Sequence, residues 1–128
     1  MDNAQHPAEL AIVTMPPKID TANAGQVGND LAGALVPGVV AVVADMTATT
    51  FCDSSAVAML VRTHLRATGH HAELRLVTCS RAVLRALAIA MVDYSLPVYP
   101  SLAAALIPRP APPASKPAPR QWPGATRS

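Results

Sequence analysis

The residues best suited to chemistry in this chain of 128 residues are an aspartate and two serines, Asp53, Ser54 and Ser55. They follow an apolar, valine-rich run of strand length at residues 39–44 and precede the amphipathic pattern of a helix. Unpaired backbone N–H groups and the positive end of the helix dipole make such a helix start a good seat for a carboxylate or a phosphate. A serine there can cap the helix, accept a phosphate, or do both, and the residue types alone leave these roles open.

Other reactive side chains give weaker signals. Ser54 lacks the G-x-S-x-G context of a serine hydrolase, and the chain has no G-x-x-x-x-G-K-[ST] loop for ATP phosphates. His64 falls on the apolar side of a predicted helix, where a half-buried structural histidine is more common than a base. His70 and His71 share a turn without the further ligands that a metal requires. We therefore expect no metal site, no cofactor and no catalytic residue.

Alternating strand and helix patterns must position these residues. Strands are predicted at residues 9–15, 18–20, 39–44, 73–78 and 97–99. A first helix is predicted from its cap at residue 20 or 21 to about residue 35, and further helices at 54–68, 80–91 and 101–106. Asp20 or Thr21 is predicted to cap the first helix, and Ser80 the third. Strands that alternate with helices predict an α/β fold, with the helices packed on a central sheet.

The segment around the two serines resembles the STAS domain of anti-sigma factor antagonists. That family typically has a strand, Asp-Leu, a short loop, Phe-x-Asp-Ser-Ser/Thr-Gly-Leu-Gly and then a helix. Here Asp45-Met46 and residues 51–58 fill those places, with Ala56 and Ala58 where the family has glycines. The resemblance covers about residues 9–107.

The resemblance continues along the chain and implies a fold. Residues 73–77 and 80–87 are similar to the family's next strand and helix, and residues 98–106 to its last strand and final helix. Ile19-Asp20-Thr21 stands where the family often has Leu-Asp before its first helix. These matches imply a STAS-like fold with a mixed central β-sheet of four to five strands and about four packed helices.

The resemblance also implies a function. Ser54 matches the phosphoacceptor, with Ser55 as the alternative, and the unphosphorylated form would bind an anti-sigma factor and so release a sigma factor. That anti-sigma factor would also be the serine kinase, a PP2C-type phosphatase would reset the switch, and the protein itself would not be an enzyme. The partner-binding residues implied by the match are Asp20, Asp53, Ser54, Ser55, Ala56 and Val57.

Two other functions stay open from the sequence. The alanines at positions 56 and 58 alter the surface that a kinase would recognise. An alternative hypothesis is therefore that the protein is a non-phosphorylated STAS scaffold or a small-ligand sensor. A receiver domain phosphorylated on Asp45 is disfavoured, because the acidic pair and the late lysine of such domains are missing.

Charge and composition divide the chain. Residues 1–107 carry six basic and eight acidic side chains, a net charge of −2, which is poorly suited to nucleic acid. Residues 108–128 carry four basic side chains, no acidic one and seven prolines. We predict a flexible N-terminus at 1–8, a STAS domain at 9–107 and a disordered tail at 108–128.

Location and redox state follow from smaller signals. Cys52 and Cys79 form no C-x-x-C pair and are expected to be reduced and buried, as in a cytoplasmic protein. The N-terminal residues lack the basic and apolar regions of a signal peptide. The longest uncharged stretch, residues 31–44, is too short to span a bilayer, so we expect no membrane partner. The oligomeric state is not predicted.

Overall fold

The computed structural model describes residues 9–90 and 96–107. Its strands are β1 (Glu9–Thr14), β2 (Lys18–Ile19), β3 (Val39–Asp45), β4 (Phe51–Cys52), β5 (Glu73–Val77) and β6 (Val98–Tyr99). Its helices are α1 (Ala24–Gly33), α2 (Ser54–Gly69), α3 (Arg81–Ile89) and α4 (Leu102–Ala105). The predicted N-terminus at 1–8, the predicted tail at 108–128 and Met91, the last residue of the helix predicted at 80–91, lie outside the described residues.

The central sheet has four strands in the order β1-β3-β5-β6, and the four helices pack around it, which confirms the predicted α/β class. Every pairing between described strands is parallel, so the expectation of a mixed sheet is wrong. The reason is the connections: a helix lies between each pair of neighbouring strands and returns the chain to the edge where the previous strand began. Strands β2 and β4 form a separate two-stranded parallel ladder.

The two faces of the central sheet are covered unequally. The buried residues of α1, α2 and α3 form one hydrophobic cluster with Val42, Ala44, Leu74 and Leu76 of the sheet. The opposite face carries a smaller cluster in which Val43 and Val77 pack with Ala105 of α4. Strand β3 is therefore buried on both faces, as its near-continuous run of apolar residues predicted.

One charged residue is buried beneath the short helix α4. Arg75 of β5 is 4% exposed, and its Nη1 atom donates hydrogen bonds to the carbonyl oxygens of Ala105 (2.7 Å) and Ile107 (3.1 Å). Its Nε atom donates to the Glu73 carboxylate at 2.8 Å, and its guanidinium lies 5.9 Å from the ring centre of Tyr99. Arg75 thus satisfies the carbonyl groups at the end of α4, which a helix cannot satisfy by itself.

The loop that leads to α2 is tied to the segment after β1. Thr49 is fully buried, and its hydroxyl donates a 2.7 Å hydrogen bond to the carbonyl oxygen of Pro16. The backbone N–H of Thr50 donates to the carbonyl oxygen of Pro17 at 2.8 Å. These bonds fix β4 beside β2 and so set the position at which α2 begins.

Among the described helices, none combines the length and the apolar character that crossing a membrane requires.

Candidate functional site at the start of helix α2

Helix α2 begins at Ser54, as the sequence predicted, and Asp53 is its N-cap. The backbone of Asp53 is extended (φ −101°, ψ −170°), so its side chain can fold back over the first turn. Its Oδ1 atom accepts hydrogen bonds from the backbone N–H groups of Ser55 (2.9 Å) and Ala56 (3.1 Å). Capping is therefore a role that Asp53 fills in this structure.

The two serines of the site have different surroundings. Ser55 is half-buried; its hydroxyl donates to Asp53 Oδ1 at 2.8 Å and lies 2.9 Å from the Thr21 hydroxyl. Since the one proton of Ser55 goes to the carboxylate, Thr21 is the donor in the second bond. Ser54 is exposed, and its side chain forms no hydrogen bond with the described residues. Of the two hydroxyls, that of Ser54 is the one open to another protein.

The carboxylate at the helix start is held in its ionised form. The hydroxyl of Ser55 lowers the pKa of Asp53, and the backbone N–H groups of Ala56, Ser55 and Thr21 lower it further. Because these donors favour the charged form, Asp53 carries a negative charge at neutral pH. The amides that a phosphate on Ser54 could have used are already bound to this carboxylate, which the sequence did not reveal.

An open depression lies beside this helix start. It is lined by Lys18, Asp20, Thr21, Ala22, Phe51 and Asp53. The structure thus brings Asp20 and Asp53 to one surface, although 33 positions separate them in the chain. Phe51 is 45% exposed and Lys18 is exposed, and neither was predicted as a site residue. The available signal for Phe51 was its place two residues before Asp53 in a chain with only four aromatic side chains.

Asp20 does not cap α1, because the N-cap of this helix lies two to three residues after the predicted caps Asp20 and Thr21. The Oδ1 atom of Asp20 accepts from the backbone N–H of Ala22 at 3.0 Å, which makes a local turn before the helix. Asn23 occupies the N-cap position, and α1 begins at Ala24. Asp20 Oδ2 lies 4.0 Å from Lys18 Nζ, at the limit of an ion pair.

The last two predicted partner-binding residues face inward. Ala56 is fully buried and Val57 is 7% exposed. Their side chains pack in the cluster between the helices and the sheet. A partner at this helix start would therefore meet the exposed side chain of Ser54 and the depression rather than these two side chains.

The other sequence candidates lie apart from this depression or serve local structure. Asp45 Oδ1 accepts from the backbone N–H and the hydroxyl of Thr47, so this carboxylate holds the loop after β3. Burial, together with the nearby charge of Asp53, raises the pKa of the Cys52 thiol to about 11. Cys79 is exposed, contrary to our expectation, because it lies in the turn before α3.

Three histidines lie on helix α2 or directly after it. The Nδ1 atom of His64 is buried without a hydrogen-bond partner among the described residues, on a helix face that packs inward. His70 and His71 are exposed at the end of α2, and His71 has a left-handed backbone (φ 59°). Within residues 9–90 and 96–107, no group of three histidine, cysteine or acidic side chains is placed to hold a metal ion.

Comparison with known proteins places this arrangement in a family. An STAS domain model matches residues 3–105 of the chain. A search of curated proteins found no relative. A STAS domain protein from Planctomyces limnophilus, described as an anti-sigma factor antagonist, is 21% identical and superposes with a TM-score of 0.68 over 79% of this chain and 90% of its own.

A second solved structure has the same fold. An anti-sigma factor antagonist from Mycobacterium paratuberculosis is 23% identical, with a TM-score of 0.69 over 79% of this chain and 85% of its own. Identities this low show a shared fold. Because the family model covers most of the chain, and the β4–α2 junction has the form expected of that family, the protein belongs to the STAS domain family.

Proposed function

We propose that this protein is an anti-sigma factor antagonist that is switched by phosphorylation of Ser54. The unphosphorylated form binds an anti-sigma factor, which thereby releases its sigma factor. The anti-sigma factor also acts as the serine kinase, and a PP2C-type phosphatase removes the phosphate. The protein works in the cytoplasm by binding and catalyses no reaction itself.

The observation that carries this proposal is the contrast between the two serines. Ser54 is exposed at the first position of α2, whereas Ser55 is half-buried and bonded to Asp53 and Thr21. A kinase needs a hydroxyl that it can reach and that does not already hold a structural bond. Ser54 meets both conditions, and Ser55 would have to give up its bond to the cap of α2.

The physical effect of a phosphate follows from the charges at the site. Phosphorylation adds a charge of about −1.5 to −2 at neutral pH. On Ser54 this charge stands next to the ionised Asp53, which already binds the amides of the first helical turn. The modification therefore forms few new bonds within the domain. Its effect falls on a partner, which meets a second negative charge where it previously met a hydroxyl.

The depression beside the site gives the partner a second point of contact. It combines the exposed ring of Phe51 with the carboxylates of Asp20 and Asp53. Aromatic side chains, phenylalanine among them, are enriched at the cores of protein–protein interfaces. We therefore place the centre of the anti-sigma factor interface between Phe51 and Ser54.

The test begins with phosphorylation. The full chain is incubated with ATP and a lysate of the source organism, and the site is mapped by peptide mass spectrometry. We expect one phosphate on the wild type, none on Ser54→Ala, and one on Ser55→Ala, the matched control that keeps Ser54. A phosphate that disappears with Ser55→Ala but persists in Ser54→Ala would contradict the assignment.

Binding is tested next, with the kinase that this assay identifies. We expect Ser54→Asp to bind it much more weakly than the wild type, and Ser54→Ala to bind it with nearly unchanged affinity. Equal binding by Ser54→Asp would refute the switch. If the chain stays unphosphorylated in a lysate that modifies another protein of this kind, the non-phosphorylated scaffold or ligand sensor becomes the better description.

A further inference from the structure

The outward sides of α2 and α3 carry two pairs of arginines and no acidic residue. Arg62 and Arg66 are four residues apart on α2, and Arg81 and Arg85 are four apart on α3; all four are exposed. Residues four apart lie on the same side of a helix. We refer to these four residues, with the exposed apolar side chains Leu65 and Ile89, as the arginine face.

The two helices that carry these arginines are neighbours. Both pack on the same side of the central sheet, and they contact each other. The acidic residue of the strand that joins them, Glu73, is bound to the buried Arg75. Among the described residues the ion pairs are Lys18–Asp20 and Glu73–Arg75, and neither includes a residue of the arginine face.

The arrangement is unfavourable for the isolated domain. Like charges four residues apart destabilise a helix slightly, and here the pattern occurs on two neighbouring helices. The charges are also not part of a generally basic domain, because residues 1–107 have a net charge of −2. A counter-charge supplied from outside the domain would relieve this repulsion.

Two large apolar side chains lie among these charges. Leu65 is 63% exposed and stands between Arg62 and Arg66 in the sequence, and Ile89 is 75% exposed, four residues after Arg85. They are the most exposed large hydrophobic residues in the part of the chain that the structure describes. Arginine combined with exposed apolar groups resembles a protein interface more than a solvated surface.

We propose that the arginine face binds an acidic surface of another protein. The chain's own segment 108–128 is excluded as the occupant by charge, because it contains four basic residues and no acidic one. A symmetric contact between the arginine faces of two copies would oppose arginine to arginine. A protein surface, unlike a phosphate backbone, also covers Leu65 and Ile89.

The proposal goes beyond the Ser54 switch and does not depend on it. Ser54 is the first residue of α2, and Arg62 follows it by eight positions, two turns further along the helix. The arginine face therefore begins away from the helix start and would add a second, electrostatic contact. Such contacts act mainly on the association rate and on the choice of partner.

The test is an NMR titration of the full, unphosphorylated chain labelled with nitrogen-15. The probe is a synthetic amphipathic helical peptide of about five turns, with leucine on one side and glutamate on the other. The same peptide with lysine in place of glutamate, and a short DNA duplex, are the comparison probes. We expect the acidic peptide to shift the amide signals of α2 and α3, with an affinity that falls as salt is added.

Charge variants complete the test. Two double variants each remove one pair of arginines, and each should lower the affinity for the acidic peptide about tenfold. They are Arg62→Gln with Arg66→Gln, and Arg81→Gln with Arg85→Gln. Arg109→Gln combined with Arg120→Gln removes the same charge from another segment and should change the affinity less than about twofold. Dispersed spectra of the variants confirm that they fold.

Three results would overturn the proposal. The first is a set of shifts confined to residues 108–128, and the second is equal loss of binding in the Arg109/Arg120 control. The third is tighter binding of the DNA duplex than of the acidic peptide, which would identify the arginine face as a phosphate-binding surface. Each of these results leaves the phosphorylation test of Ser54 unaffected.

Discussion

Replacing Arg75 by methionine should destabilise the domain by about 3 kcal/mol. The substitution removes the hydrogen bonds to the carbonyl oxygens of Ala105 and Ile107, and the ion pair with Glu73. A hydrogen bond to a charged group contributes roughly 1.5–3 kcal/mol, and breaking a buried pair costs roughly 3–5 kcal/mol. The lower end applies because Glu73 is 22% exposed, so water can replace part of what its carboxylate loses.

The assay is unfolding in urea, followed by circular dichroism. A loss of this size should lower the midpoint by roughly 1.5–2 M for a domain of about 100 residues. Arg81→Met, the matched control on an exposed helix surface, should change stability by less than about 0.5 kcal/mol. The loss of stability in Arg75→Lys should lie between those of the other two variants, because a single ammonium cannot reach Glu73 and both carbonyl groups at once.

A loss below about 1 kcal/mol for Arg75→Met, with an unchanged dependence of the unfolding free energy on urea concentration, would contradict this expectation. It would mean that the cost of burying the guanidinium already offsets its bonds in the native protein, as happens for some buried ion pairs. Hydrogen exchange of the amides of α4 would then show whether only the end of the domain depends on Arg75.

The remaining predictions concern α1 and the residues beside Ser54. Gly25→Ala should stabilise the domain by about 0.5 kcal/mol in thermal unfolding, because open space surrounds the new methyl group; Gly28→Ala should stabilise less or destabilise, since its Cβ would come within 2.9 Å of Met59 Cγ. Equal gains at the two positions would contradict the close contact of α1 with α2. Because the pKa of Cys52 is raised to about 11, iodoacetamide at pH 7.5 should alkylate Cys52 at a rate at least roughly tenfold lower in the folded chain than in urea. Similar rates for Cys52 in the two conditions would show that its thiol is open to solvent. The lowered pKa of Asp53 means that its stabilising contribution is complete above the unfolded value of 3.8 and is lost as the pH falls through the folded value; the stability difference between wild type and Asp53→Asn should therefore shrink between pH 5 and pH 2, and a constant difference would argue against an ionised cap.

The elements that local sequence determines were predictable. The valine-rich run predicted β3. The start of α2 at Ser54 was predicted by a carboxylate and two hydroxyls that precede an apolar helical pattern. The start of α1 was missed because Asp20, Thr21 and Asn23 are all good caps, and the choice among them depends on the turn that Asp20 forms with Ala22.

The parts of the site that depend on distant residues were not predictable. The bond between the hydroxyls of Thr21 and Ser55 joins positions 34 apart in the sequence, and no local pattern signals it. The same holds for the depression that brings Lys18 beside Phe51, because the pairing of β2 with β4 creates it. The parallel direction of the central sheet, in contrast, could have been predicted, because a helix between each pair of neighbouring strands favours parallel pairing, and the expected mixed sheet came from the family resemblance.

The helical backbone of Ser54 has a consequence for how a kinase would recognise this protein. Many enzymes that modify side chains bind their substrates as extended peptides, but Ser54 already belongs to the first turn of α2. The groups around it come from separate parts of the chain, because Thr21 and Asp20 join the surface only after folding. Under the proposed function, a kinase for Ser54 would therefore recognise the folded domain, and a synthetic peptide that spans the serine would lack most of the recognised surface.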